Sequence, residues 1–483
     1  MKTALTAIVL ALALALALPG TVSAQIDLPE LGDASSASFS PSQEAAVGRD
    51  VMNRLRESGE TLDDAEVSAY LQELGGRLAQ GAQAPDLSFS FFAVNDRSIN
   101  AFAMPGGYIG VHSGLVLTTQ SEAELASVLA HEIAHASQHH LARLKAASAP
   151  NQLWLLAALL AGVLASRSGN SDAAFGAINA GIGLSISSEL AYTRDFEREA
   201  DRLGMQYLAA AGFDARAMPS FFQRMQQSNR FNDNNALAFL RSHPVTGERI
   251  SEAQDRALAF PLRMRADSTA YLLVREKLRL ATLGREEALS YYQASLKSRQ
   301  FLSEGAQWYG LSLARLAASQ PGPARQALAE ARQRLPASPL LFSQEAAIGR
   351  AERNWSAALD AYRRGLAAFP GDGPLRYGEI DTLLDSGQRE AALTRLRSEL
   401  NRYPSEPALY RRQAAVYADK DALRYHAALG QAFYYEQRYE AALEQFQYAS
   451  QAPGDDFYLR SSIEARIREL QNRLKEERRQ ARS

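Results

Sequence analysis

The C-terminal half of the chain repeats itself. Ala324, Ala358 and Ala392 stand 34 residues apart, and Pro336, Pro370 and Pro404 keep that interval, each proline 12 residues behind its alanine. A small residue at a fixed place lets two helices cross closely, and a proline that cannot continue a helix closes the second of them. The pattern predicts a stack of helical pairs in which each unit buries its apolar face against its neighbours. The last unit keeps the pattern through Gly430, Phe433, Ala442, Phe446 and Ala449. Ala392 and Ala442 are 50 residues apart, a slip of 16 that falls on Glu406–Ala418, either one inserted helix or a degenerate unit. Such a stack offers a concave surface for peptides or is an array without a ligand, and the period alone does not separate the two.

At 483 residues the chain is too long for one ordinary domain. Lys and Arg number 52 against 54 Asp and Glu, a net charge of −2. A nucleic-acid partner demands a basic surface, so that class is excluded. There is no cysteine, which excludes disulfides, thiolate catalysis and Cys-ligated zinc. Lys2 precedes the apolar run Ala4–Leu18; Pro19-Gly20 breaks it, and Val22-Ser23-Ala24 places small residues before Gln25. This is the grammar of a secretory signal peptide over residues 1–24, with a run short of the ~20 residues of a membrane span. A Cys-free exported chain suits the periplasm. The expected organisation continues with a flexible leader (25–42), a first folded domain (43–262), the repeats (263–460) and a charged, solvated capping helix at the C-terminus (461–483).

Within the first domain, helical spacing covers Gln43–Ser58 and Asp63–Gln80, with Gly75-Gly76 a weak point. Leu87–Val94 alternates as a strand does, Gly106-Gly107 fits a tight turn, and Tyr108–Leu117 is a second β-rich run whose edge could receive an extended peptide. Ser121 followed by Glu124 caps a helix expected from Glu122 to about Ala147. Short strands followed by helices predict an α+β domain, mostly helical with a small sheet, rather than a doubly wound one. Two apolar stretches, Leu153–Ala165 and Ala173–Ile186, are too short to span a bilayer and are expected as a buried helical pair, the alternative being a lid or peripheral membrane contact.

His131-Glu132-Ile133-Ala134-His135 is an HExxH sequence inside that helix. Residues four apart share a helix face, so both imidazoles can hold one zinc ion, while Glu132 stands beside them as general base. A catalytic zinc needs a third protein ligand. Gln138 and Leu141 stand where the HExxHxxGxxH class needs Gly and His, so that class fails. His139 and His140, a turn or more beyond His135 on one continuous helix, are expected out of reach. Glu197-Arg-Glu-Ala-Asp201 supplies the alternative: Glu197 as third ligand, Asp201 four residues on as hydrogen-bond partner to a ligand histidine, and Glu199 turned away. His243, in LRSHPVTGERI, is a candidate fourth ligand that holds the enzyme latent, a candidate oxyanion stabiliser, or a loop histidine with no role. His112 packs or contacts substrate, and His426 is structural.

NAFAMPGG, HEIAH, EREAD and HPVTGERI, in that order, resemble the HtpX/CAAX-prenyl-protease type of zinc endopeptidase, and the 34-residue period resembles tetratricopeptide repeats. The first resemblance implies a gluzincin-type domain with His131, His135 and Glu197 as ligands of one Zn2+ per chain and Glu132 as base. With an export signal in front and repeats behind, it implies a periplasmic metalloprotease and chaperone. Its expected partners are unfolded or misassembled outer-membrane proteins and, through the repeats, the machinery that assembles them. The competing expectation is a repeat-based chaperone or scaffold whose protease is largely latent.

Overall fold

The computed structural model describes residues 40–147 apart from 83 and 86, residues 186–230 and residues 236–480. The expected signal peptide, nearly all of the leader and almost all of the two apolar stretches between 153 and 186 lie outside the described residues.

The first helix, α1 (Pro41–Glu57), begins inside the expected leader. Ser40 caps it reciprocally with Gln43, and Pro41 occupies its first turn, where a missing N–H costs nothing. Helix α2 (Ala65–Ala79) runs unbroken through Gly75-Gly76. Gly75 is there for space, since a β-carbon on it would stand 2.3 Å from the Phe91 ring.

Three strands follow: β1 (Ser90–Val94), β2 (Ala101–Met104) and β3 (Tyr108–His112). Their order is β1-β3-β2, with β3 parallel to β1 and antiparallel to β2. Gly106 and Gly107, both at positive φ, form the turn into β3. The expected β-rich run is therefore corrected twice. Its strand stops at His112, after which Ser113–Thr118 forms the short helix α3. And β3 is the central strand, paired on both sides; the edge next to the site is β2.

Helix α4 (Glu122–Ser137), capped by Ser121, carries HExxH. It does not reach Ala147: His139 takes a left-handed φ of 49°, and a separate helix, α5 (His140–Ala147), leaves at a new angle. Helices α6 (Ile186–Ala210), α7 (Ala217–Arg230), α8 (Leu237–Ser242) and α9 (Gly247–Ala257) complete the surroundings of the site. Gly204 of α6 lies against α4 so closely that a β-carbon would stand 3.0 Å from the His131 backbone. That approach fixes how deeply α6 delivers its carboxylates.

Helices then succeed one another to the end: α10 (Thr269–Leu283), α11 (Arg285–Ser298), α12 (Glu304–Ala317), α13 (Pro321–Arg334), α14 (Pro339–Ala351), α15 (Trp355–Ala368), α16 (Gly373–Asp385), α17 (Arg389–Arg402), α18 (Pro407–Tyr417), α19 (Ala422–Tyr435), α20 (Tyr439–Gln451) and α21 (Phe457–Gln480). Ala324, Ala358, Ala392 and Ala442 are fully buried where paired helices cross, and Pro336, Pro370 and Pro404 lie in the links between pairs. The slip in register is the single short helix α18. The C-terminal helix α21 exposes most of its residues and caps the array by burying Ile463, Leu470 and Leu474 against the Tyr439–Phe446 cluster.

One apolar core runs from Leu71 and Leu74 of α2 through Val111 of β3 and Leu129 of α4 into Tyr271 of α10 and Tyr309 of α12. Lys277 of α10 bonds Asp64 (2.7 Å) and Glu66 at the start of α2. At the far end Glu477 of α21 pairs with Arg49 of α1 (2.8 Å), and Arg438 with Glu57 (2.9 Å). The helical array thus touches the first domain at both of its ends.

Candidate metal centre

Helix α4 presents His131 and His135 one turn apart, and α6, held against it at Gly204, inserts Glu197 between them. His131 Nε2 lies 3.0 Å from His135 Nε2 and 3.4 Å from Glu197 Oε2, and His135 Nε2 lies 3.3 Å from Glu197 Oε1. The link between α8 and α9 brings in His243, with Nδ1 3.0 Å from Glu197 Oε1 and 3.3 Å from His131 Nε2. Ligand atoms of His131, His135, Glu197 and His243 all fall within 4.8 Å of one another. Zinc–nitrogen bonds of ~2.0–2.1 Å in a tetrahedron separate neighbouring ligand atoms by roughly 3.3 Å, close to the spacings found here. Charge gives the same answer. Glu132, Glu197 and Asp201 are buried together against one guanidinium, that of Arg249. A dication balances that excess.

The outer contacts prepare the ligands. His131 Nδ1 lies 3.0 Å from Asp201 Oδ1, leaving Nε2 to face the cluster. Burial opposes a charge on His131, but the Asp201 and Glu197 carboxylates prevail and raise its pKa to about 10, an appetite for positive charge that a metal ion would satisfy instead. Burial drives His135 down to about 3, which keeps its lone pair available. Burial raises the Glu132 carboxyl against the pull of His243 and His131. Its Oε1 lies 3.2 Å from His243 Nε2, and the Ala103 main chain of β2 hydrogen-bonds the carboxylate.

Two residues were not legible in the sequence. Arg249 grips Asp201 with Nε and Nη2, both at 2.8 Å, reaches within 2.8 Å of Glu197 with Nη1, and donates to the Pro244 carbonyl. Thr246 caps α9 by accepting from the Arg249 N–H, so the arginine leaves the first turn toward the site. The S/T-x-x cap before it was the one local signal. His140 is not among the clustered ligand atoms, but it does not lie on one continuous helix with His135. The break at His139 folds it back, and its Nδ1 meets His135 Nδ1 at 2.9 Å while its Nε2 lies 3.2 Å from Glu199 Oε2. Phe196 stacks on its ring, and Arg143 bonds Glu199 at 2.9 Å. Glu199 lies outside the cluster of ligand atoms and anchors His140. His139 bonds Glu44, and His426 bonds Gln445 in the repeats. His112 is buried, with Nδ1 2.8 Å from Ser98 Oγ.

Residues 65–257 match peptidase family M48. The chain is 32% identical over 305 residues to the beta-barrel assembly-enhancing protease of Escherichia coli strain K12, covering 62% of each chain. A Vibrio cholerae protein provisionally given the same name is 39% identical over 290 residues, 60% of each chain. The mitochondrial metalloendopeptidase OMA1 of Arabidopsis thaliana is 28% identical over 220 residues, 44% of this chain and 41% of that one. The alignments thus span about three fifths of the length of these bacterial relatives. The segment that brings HEIAH, EREAD and Arg249 together is a peptidase family M48 domain, carried by a chain that resembles the beta-barrel assembly-enhancing proteases.

Proposed function

We propose that the chain is a periplasmic zinc endopeptidase of the gluzincin type whose helical array is a tetratricopeptide-repeat solenoid. Its substrates are unfolded or misassembled outer-membrane proteins, and the repeats engage the assembly machinery and act as a chaperone. The observation that carries this reading is the convergence of His131, His135 and Glu197 on one point with Glu132 beside it. When bound, zinc supplies a Lewis acid that polarises the peptide carbonyl and acidifies water near neutral pH. His131, His135 and Glu197 hold it, and Asp201, Arg249 and His140 fix their orientation. Glu132 takes a proton from the attacking water and returns one to the leaving amine. An extended substrate laid along the edge of β2 would bring its carbonyl beside Glu132, and main-chain pairing there needs little sequence specificity.

The test compares wild type and Glu132→Gln for zinc content and for cleavage of a misassembled barrel protein. Wild type should hold about one zinc per chain and cleave; Glu132→Gln should keep the metal and lose turnover. Glu197→Ala should empty the site, and full zinc and activity in that variant would remove Glu197 as a ligand. A second reading, a repeat-based chaperone with a largely latent protease, is favoured by one contact: His243 occupies the fourth corner of the cluster, where water would otherwise enter.

A further inference from the structure

Between α9 and α10 the chain crosses the surface in a segment, Pro261–Ala266, that is neither helix nor strand. Its side chains are arranged against the usual order. Leu262 is 63% and Met264 94% exposed. Arg263 and Arg265, two residues apart, turn the other way: both bring Nη1 to 4.0 Å from where a β-carbon on Gly212 would stand, and Arg265 lies 4.8 Å over the Phe213 ring. Neither arginine has a carboxylate partner among the described residues. The main chain is equally unclaimed, since no N–H or C=O from Leu262 to Ala266 makes a hydrogen bond among the described residues.

The segment is nevertheless held at both ends. The Phe260 N–H bonds the Ala257 carbonyl at the end of α9 (3.2 Å). Asp267 accepts from the Glu122 N–H (2.7 Å), and Ser268 donates to the Glu122 carboxylate (2.7 Å) at the head of α4. The cost of ordering it has been met by folding rather than by binding.

We propose that Pro261–Ala266 is a docking strand for an extended peptide in which apolar and acidic residues alternate. The free main-chain groups supply the pairing of strand addition. Opposite residues of two paired strands share a face, so the guest's apolar side chains meet Leu262 and Met264 and its carboxylates meet Arg263 and Arg265. A lipid surface is a poorer occupant, because hydrocarbon would leave the polar main chain unsatisfied. A second copy of the chain would set arginine against arginine. None of these residues belongs to the ligand cluster, and the proposal does not rest on the proteolytic reading.

The experiment measures binding of short fluorescent peptides to the full chain by anisotropy. A peptide alternating Val and Glu should bind about tenfold more tightly than one alternating Val and Lys, and than a block peptide of the same Val and Glu content. The double variant Arg263→Glu, Arg265→Glu should invert the charge preference. Met264→Pro, which deletes an N–H that nothing in the fold uses, should weaken binding by a similar factor while leaving the melting temperature unchanged. Equal binding of alternating and block peptides, or undiminished binding by Met264→Pro, would overturn the proposal. So would capture by phosphatidylglycerol vesicles that depends on Leu262 and Met264, or a concentration-dependent dimer that the double variant abolishes.

Discussion

His243 touches both halves of the proposed chemistry, lying 3.0 Å from Glu197 and 3.2 Å from Glu132. As fourth ligand it restrains the enzyme, and His243→Ala should then raise basal proteolysis, self-cleavage included. As an oxyanion donor its loss should instead cut turnover on the order of 10²–10³-fold. A rate assay on this one variant separates the two, and an unchanged rate leaves His243 structural. His140 yields a second prediction. Removing the partner that orients a metal-ligating histidine typically weakens metal affinity ~10–100-fold. His140→Phe should show that loss in a chelator competition, with Glu132→Gln, which also alters the site but not this contact, retaining affinity. At this scale the sequence was informative where a motif sets its own geometry: His131, His135 and Glu132 share a helix, and Glu197 and Asp201 share another. It was silent on Arg249, whose partners are 48 and 52 residues away, and on the contact of His140 with His135, because nothing local announces the left-handed residue at 139.

Between elements, the decisive contact is the crossing of α4 and α6. Gly204 lies seven residues after Glu197, two helical turns along the same face, so any widening there withdraws the carboxylate from the histidines. Gly204→Val should therefore reduce zinc content and turnover and destabilise the fold by roughly 1–3 kcal/mol, the usual range for overpacking. Bound zinc and a denaturation curve check it; a variant with full zinc would show that the helices are free to part. Alternation found β1 and β3 but not β2, and it could not give the order β1-β3-β2, because an apolar run reads alike at the centre and at the edge of a sheet. The same ambiguity let Ser113–Leu117 pass for strand.

For the molecule as a whole, the 34-residue period predicted the array but not its union with the first domain. The boundary at 262/263 separates two domains in sequence, yet Tyr271 and Tyr309 join the core of α2 and α4. Lys277 seals this junction. Burial works against its ammonium, but Glu66 and Asp64 raise its pKa above the ordinary 10.5. Stability from such a group is fully present below 10.5 and is lost as pH climbs through the raised value. Thermal unfolding should show an alkaline fall in melting temperature that Lys277→Met removes, with the variant less stable at neutral pH by on the order of 1–3 kcal/mol.

The pairing of Arg49 with Glu477 joins residues 428 positions apart. A chain made from its N-terminus presents α1 long before α21, so α1 must wait until the intervening helices have emerged before α21 arrives to meet it. Long-range contacts of this kind form late, since the intervening loop must be closed before they repay its entropy. The meeting of α1 and α21 is thus among the late contacts of the fold, and the surroundings of α1 stay incomplete until it forms.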